Sequence, residues 1–304
     1  MNLKLPDAMQ VLERGWLSAN NILFLEGEQA TLVDSGYVTH ADQTVDLVRQ
    51  SLDGRQLRRL INTHSHSDHI GGNAALKQAF DCEIIVPGGL HASIAEWDEN
   101  ALLLSPLGQQ AARFQHDALI HADQQFEMGG LTWQAIGVPG HDMEALAYYN
   151  PEKRILISGD ALWENGFGVI FPELLGEADG LASTRTTLER LAQLPIDIVI
   201  PGHGSPFATV DLAFERAFRR LDSFQSGIDR LAWHAIKVIV SFAMMEKRRL
   251  QRSTFPEFVL GLPFARDVNQ RYLDLPGEQL VARIERELLL VNALKLDGEW
   301  LCAP

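Results

Sequence analysis

Leu60-Ile61-Asn62-Thr63-His64-Ser65-His66-Ser67-Asp68-His69-Ile70-Gly71-Gly72 crowds three imidazoles and a carboxylate into six positions, between a short apolar strand and a helical stretch. In extended backbone, residues i and i+2 point to the same side, so His64 and His66 can aim at one cation. Asp68 and His69 fall where the chain turns toward the helix and can aim at a second cation beside it. Gly71 and Gly72 allow the close backbone approach that such a turn needs. Polar groups packed this densely are costly unless something cationic gathers them.

Outward from that stretch, three further candidate ligands stand at the C-terminal ends of apolar strands: His141 after Ile136–Gly140, Asp160 after ILISG, and His203 after IVIPG. Residues at strand ends converge along one sheet edge, where α/β folds commonly bind ligands. Five of the ten histidines belong to this set; His40, His91, His116, His121 and His234 do not.

The first two-thirds of the chain alternates β-rich runs with helical stretches. Candidate strands are 21–27, 30–36, 60–63, 82–87, 131–140, 145–150, 154–160 and 196–202, several of them Val/Ile-rich runs of the kind covered on both faces. Candidate helices are 39–51, 73–80 and 183–193, the last capped by Ser183 or Thr184. An insertion at about 89–122, helical in texture, is expected as a lid or rim beside the main sheet. After Phe207 the β signal stops. Residues 209–250 read as two helices, with Phe214, Phe218, Leu221 and Phe224 at helical spacing, and a later helix precedes a short hairpin around Asp297-Gly298. Two units are therefore expected, 1–207 and 208–304.

With 304 residues, 46% hydrophobic and 22% charged, the chain has the composition of a globular protein of about two units. The net charge of −14 argues against a nucleic-acid partner, which needs basic surface. Residues 208–304 carry 14 Lys/Arg against 13 Asp/Glu, which leaves 12 against 27 for the first 207. The acidity thus lies in the N-terminal part. No apolar run reaches the ~18 residues of a membrane span, and the N-terminus lacks the apolar stretch of a secretory signal. Two cysteines make no disulfide framework, so a reducing cytoplasm is the expected compartment. Homo-oligomerisation is compatible with the sequence.

His64-x-His66-x-Asp68-His69, followed by His141, Asp160 and His203, resembles the metallo-β-lactamase superfamily in its dinuclear, glyoxalase II-like branch. The likeness runs over residues 10–207 in motif order and includes Asn21 and Leu32-Val33-Asp34-Ser35-Gly36. It implies an α/β fold, an αββα sandwich of two mixed sheets, with the appended C-terminal unit mainly helical and winged-helix-like in texture. It further implies one metal on His64, His66 and His141, a second on Asp68, His69 and His203, and Asp160 as the bridge. Asp34 matches the carboxylate that orients a histidine beneath the site. The cofactors expected are two divalent metal ions, Zn first, with Fe or Mn compatible with the His/carboxylate donors.

The activity implied is hydrolysis of a small ester-like substrate by a metal-bridging hydroxide, a thioester first and a lactone second, with Asp68 as a catalytic residue that orients the nucleophile or relays a proton. Asp160 replaces the cysteine or serine of true β-lactamases, which sets antibiotic hydrolysis aside. Asp142-Met143-Glu144 departs from the family's small residues after the third histidine, and no glutathione-binding set of basic residues is identifiable. Two other classes share the features: an iron-dependent oxidoreductase of the same fold, like a persulfide dioxygenase, and a non-catalytic binding or regulatory protein. Trp163 and Phe167, just beyond Asp160, are candidate pocket residues. His116 and His121 are candidates to reach the site from the insertion, although solvated positions are the plainer reading. Cys82 reads as an inert core thiol. Lys247-Arg248-Arg249 with Arg252 reads as a phosphate- or carboxylate-holding cluster, as a nucleic-acid contact if the C-terminal unit is a winged helix, or as a solvated helix end.

Overall fold

A computed structural model describes residues 3–176 and 179–304. Six strands form the first sheet: β1 (Met9–Leu12), β2 (Asn21–Glu26), β3 (Gln29–Val33), β4 (Gln56–Ile61), β5 (Glu83–Pro87) and β6 (Ala118–Ile120), in spatial order 1-2-3-4-5-6. The pairs β1/β2 and β2/β3 are antiparallel, while β3/β4, β4/β5 and β5/β6 are parallel. The second sheet contains β7 (Gln125–Met128), β8 (Leu131–Gly137), β9 (Leu146–Asn150), β10 (Ile155–Gly159) and β11 (Ile198–Pro201), in order 11-10-9-8-7. Only its β10/β11 pair is parallel, so both sheets are mixed, as expected.

Alternation along the strands builds the layers. Ile22, Phe24, Val33 and Ile61 of the first sheet meet Trp133, Tyr148, Ile157 and Ile200 of the second in the inner core. Leu23, Leu32 and Leu60 face the other way, onto Val45, Val48 and Leu76 of helices Ala41–Ser51 and Asn73–Phe80. On the far side of the second sheet, Tyr149, Leu156 and Val199 pack on Leu188 and Leu191 of helix Gly180–Leu191. The result is the αββα sandwich. A fully buried aromatic such as Trp133 or Tyr148 contributes roughly 4–6 kcal/mol of apolar burial before conformational entropy is subtracted. Tyr148 also donates its hydroxyl to the Asn62 carbonyl at 2.7 Å, so inner-core packing fixes the backbone just before Thr63 and His64.

That apolar layer does not stop at residue 207. Phe207 forms a bridge with Val199, and Phe214, Leu221 and Phe224 of helix Val210–Gln225 join the same cluster. So do Leu231, Ile236 and Val240 of helix Ile228–Lys247 and Leu280, Ile284 and Leu288 of helix Gly277–Leu290. Beyond these, β12 (Arg249–Gln251), β13 (Lys295–Asp297) and β14 (Trp300–Cys302) make an antiparallel sheet in order 12-14-13, with helices Phe255–Gly261 and Pro263–Val268 between β12 and the final helix. The hairpin turns at Gly298, whose φ is +57°. The C-terminal region is mainly helical, as expected, with this small sheet packed among its helices.

Several sequence expectations need adjusting. Strands β1, β6 and β7 fall outside the expected set; at 3–4 residues, with only one buried position in each, they show little period-two signal. The helix expected at 183–193 begins one turn earlier. Ser183 and Thr184 lie inside it, and the Thr184 hydroxyl donates back to the Gly180 carbonyl at 2.8 Å. The insertion holds only two short helices, His91–Glu96 and Leu104–Leu107, before the chain runs on into β6. Among the described residues no helix is long and apolar enough to cross a membrane.

Candidate metal centre and its cavity

His64 and His66 leave the end of β4, and Asp68 and His69 lie on the one-turn helix Ser67–Ile70 that follows. His141, Asp160 and His203 follow β8, β10 and β11. The Leu146 amide donates to the Thr63 carbonyl at 2.8 Å and ties the two sheets together at this edge. Backbone must come very close here. A Cβ at Gly71 would collide with the Val38 nitrogen, and one at Gly202 would collide with Asp160 Oδ1. Neither position has room for a side chain.

The structure gathers the seven donors into two adjoining groups, His64/His66/His141 and Asp68/His69/Asp160/His203, with ligand atoms within 4.8 Å of one another in each. In the first group His66 Nδ1 lies 3.1 Å from His64 Nε2 and 2.7 Å from His141 Nε2. In the second, His203 Nε2 lies 2.8 Å from Asp68 Oδ2, and His69 Nε2 lies 3.4 Å from Asp160 Oδ1. Asp160 reaches both groups, because its other oxygen, Oδ2, is 3.3 Å from His141 Nε2.

Hydrogen bonds behind the imidazoles decide which nitrogens face inward. Asp34, at φ +58°, accepts from the Thr63 amide at 2.9 Å, from the Thr63 hydroxyl at 2.8 Å and from His69 Nδ1 at 2.8 Å. With its own proton given to Asp34, the Thr63 hydroxyl accepts from His64 Nδ1 at 3.0 Å. His141 Nδ1 donates to the Val169 carbonyl at 2.5 Å. His64, His69 and His141 therefore all turn Nε2 inward, and that of neutral His64 carries no proton. In the first group three ring nitrogens converge, and at most one proton can lie among them. In the second, His69 Nε2 is buried without a hydrogen-bond partner. Converging lone pairs with two carboxylates and no thiolate fit divalent cations of the Zn, Fe or Mn kind.

Electrostatics sharpen the contrast between the groups. Burial, and after it the neighbouring imidazoles, pushes the pKa of His64 and of His66 well below the ordinary histidine value, so both stay neutral. Burial also opposes charge on His69, but Asp34, Asp160 and Asp68 outweigh it and raise the pKa well above that value. Asp160 and Asp68 are likewise disfavoured as anions by burial. The imidazoles of His203 and His69 more than compensate at Asp160, and those of His69 and His203 at Asp68, so both remain ionised.

A cavity of about 740 Å³ opens onto the centre, within the range of small-molecule sites. Trp163 and Phe167 both line it, and Trp163 donates its indole N–H to Asp160 Oδ1 at 3.2 Å. Leu107 and Gln109 contribute from the insertion, and Val238, Ile239, Phe242 and Leu288 from the C-terminal helices. His116 instead pairs with His91 at 2.8 Å, and His121 packs beneath Gly88. Neither lines the cavity. Cys82 is buried, its thiol pushed up to about 11 by that burial. Of the basic cluster, Arg252 pairs with Glu285 at 2.7 Å and Arg249 lies over Trp300. No member of it lines the cavity.

Sequence reasoning passed over several contributors. Thr63 relays Asp34 to His64, Val169 lends only its carbonyl, and Asn20 donates to the Pro201 and Gly204 carbonyls on either side of His203. Trp16, 55% exposed, stacks on His203 at 5.4 Å between ring centroids. Only Thr63 carried a signal, through its place beside His64. The others act through backbone atoms or long-range packing.

Comparison with known proteins follows the same lines. The family model described as the metallo-beta-lactamase superfamily matches residues 14–203. A hydroxyacylglutathione hydrolase of Bartonella tribocorum is 28% identical over 145 residues, 47% of each chain. The chain thus spans about half the length of that relative. A Bacillus subtilis protein named probable metallo-hydrolase YqgX is 26% identical over 201 residues, 62% of this chain and 87% of that one. Among solved structures, a metallo-beta-lactamase family protein of Thermus thermophilus superposes with a TM-score of 0.61 at 16% identity, over 99% of this chain and all of that one. That likeness speaks for the fold.

Proposed function

For a chain that belongs to the metallo-β-lactamase superfamily, we propose a dinuclear metal-dependent hydrolase acting on a small ester-like substrate, a thioester before a lactone. The observation that carries this reading is the pair of adjoining donor groups with Asp160 reaching both, at the floor of a cavity of about 740 Å³. His64, His66 and His141 would hold one cation, and Asp68, His69 and His203 the other; divalent ions bound there would supply Lewis acidity and a water of lowered pKa.

The rest falls to the chain's own groups. Asp34 keeps the Nδ1 proton on His69 and, through Thr63, the one on His64, so both Nε2 atoms stay directed inward, where they would present lone pairs to a bound cation. Asp68, held against His203, is the carboxylate that accepts a proton as the ester-like bond is attacked. Trp163 steadies Asp160 and, with Phe167, forms the apolar wall beside it. Residues 1–207 supply the chemistry and residues 208–304 shape the pocket. The names of the relatives support hydrolysis, and hydroxyacylglutathione, as a substrate named for one of them, supports the thioester.

Elemental analysis of protein purified without added metal, run beside a panel of thioesters, lactones and amides, tests this. Two metals per chain and turnover in the order thioester, lactone, amide are expected. Stoichiometric iron with oxygen consumption and no hydrolysis would overturn it in favour of an oxidoreductase.

A further inference from the structure

The cavity is also lined by basic side chains. Arg220 lines it from helix Val210–Gln225, together with His234 and Lys237 from helix Ile228–Lys247. Its guanidinium lies flat against the chain just beyond Asp160. Gly166, at φ +128°, leaves the space, and a Cβ there would fall 2.6 Å from Arg220 Nη1.

Arg220 differs from Arg216 and Lys237 in having no partner. Arg216 donates to the Glu164 carbonyl at 3.0 Å, and Lys237 pairs with Glu287 at 2.9 Å. Arg220 makes no hydrogen bond and no ion pair among the described residues. Burial alone lowers its pKa, with no carboxylate near enough to offset it. The acidic side chains on the cavity wall are committed elsewhere: Asp68 and Asp160 face the imidazoles, and Glu164 accepts from the Thr209 hydroxyl at 3.0 Å. His234, pushed down to about 3 by burial and then by Arg220 and Lys237, is neutral and offers the same space a hydrogen bond without charge.

A part-buried guanidinium without a partner pays for its desolvation until an anion meets it, and its planar fork matches a carboxylate or a phosphate through two parallel hydrogen bonds. We propose that Arg220 is the specificity-determining residue of this cavity, binding an anionic oxygen group, carboxylate or phosphate, at the far end of the substrate whose ester-like bond lies at the metal centre. Asn165 and His234 border the same space and supply uncharged hydrogen bonds to that group. The inference rests on the hydrolase reading for its substrate, but not for its anion.

The test uses metal-loaded wild type, Arg220→Gln and Arg220→Lys, with metal content and circular dichroism matched. Three thioesters share one acyl group and carry a thiol arm ending in a carboxylate, a phosphate monoester or an amide. Wild type is expected to favour one anionic arm over the amide. In Arg220→Gln that preference in kcat/KM falls tenfold or more, chiefly through KM, while Arg220→Lys retains part of it. Whichever anion shows the loss identifies the group. A preference equal in wild type and Arg220→Gln overturns the proposal. Calorimetric titration with inorganic phosphate and with acetate reads the same residue without turnover: one of them should bind Arg220→Gln at least tenfold more weakly. If no thioester is hydrolysed, the hydrolase reading fails, and equal anion affinities in the titration would then remove Arg220 as well.

Discussion

The two halves of the candidate metal centre lie side by side yet solve the problem of buried polarity in opposite ways. His64, His66 and His141 form a group without a carboxylate of its own, and burial keeps His64 and His66 neutral. Asp68, His69, Asp160 and His203 form a charged group, in which carboxylates raise the pKa of His69 and imidazoles hold the two acids ionised. Charge compensation is thus concentrated on one side and lent to the other through Asp160 Oδ2. A neutral group binds a cation by lone pairs alone, whereas a charged group also needs the cation, or protons, to balance its anions.

Removing the shared carboxylate should have the largest effect. On the dinuclear reading, Asp160→Asn is expected to lower metal content below two per chain and to cut turnover more than ~100-fold, because the anion that would lie between the two cations is gone. Mass spectrometry under native conditions together with initial rates would check it. Two retained metals with full turnover would break the idea that the halves depend on one another.

Asp34→Asn comes next. Its amide cannot accept at once from the Thr63 amide, the Thr63 hydroxyl and His69 Nδ1, so the orientation of His69 loosens directly and that of His64 through Thr63. Metal affinity should drop ~10–100-fold, the usual effect of losing such a support. Chelator competition should release the metal of the charged group first. Simultaneous release would mean that Asp34 supports both halves equally.

The smallest effect is on the stability of metal-free protein against pH. His64 and His66 have folded pKa values below the unfolded 6.5, so the unfolded chain binds more protons and stability is lost as pH falls below that value. Asp160 and Asp68, lowered from 3.8, keep their contribution until the pH falls below that figure. His69, raised, contributes fully below 6.5 and loses stability only as pH rises through its folded pKa. Between pH 6.5 and 3.8 the neutral half should therefore weaken first. His40, His116 and His234 are also lowered, so the measure is a difference: thermal denaturation of His66→Asn should show a shallower pH slope than wild type over that window. Equal slopes would show that His66 is not held neutral.

How much of this could be read beforehand depended on distance along the chain. The His64–His69 stretch was legible because a two-residue repeat at a strand end has one geometric meaning. His141, Asp160 and His203 were legible because each follows an apolar strand, and strand ends share an edge. The support of Asp34 for His69 was suggested by resemblance, but its second route through the Thr63 hydroxyl to His64 needed coordinates. The stacking of Trp16 on His203 and the indole bond from Trp163 to Asp160 are matters of packing that no spacing rule encodes. The basic run at Lys247-Arg248-Arg249 drew attention by density, yet the unpartnered cation of the cavity is Arg220, one arginine among several on an amphipathic helix.

By itself the sequence determined the donor set, the strands that carry it and the mainly helical character of the last hundred residues, because these rest on local periodicity and on residue chemistry. Tertiary structure alone decided which nitrogen each histidine turns inward, that Asp160 reaches both donor groups, and that the C-terminal helices close over the centre and bring Arg220 into its cavity. Those outcomes depend on groups far apart in the chain, whose burial and hydrogen bonds exist only once both sheets and the helices have packed.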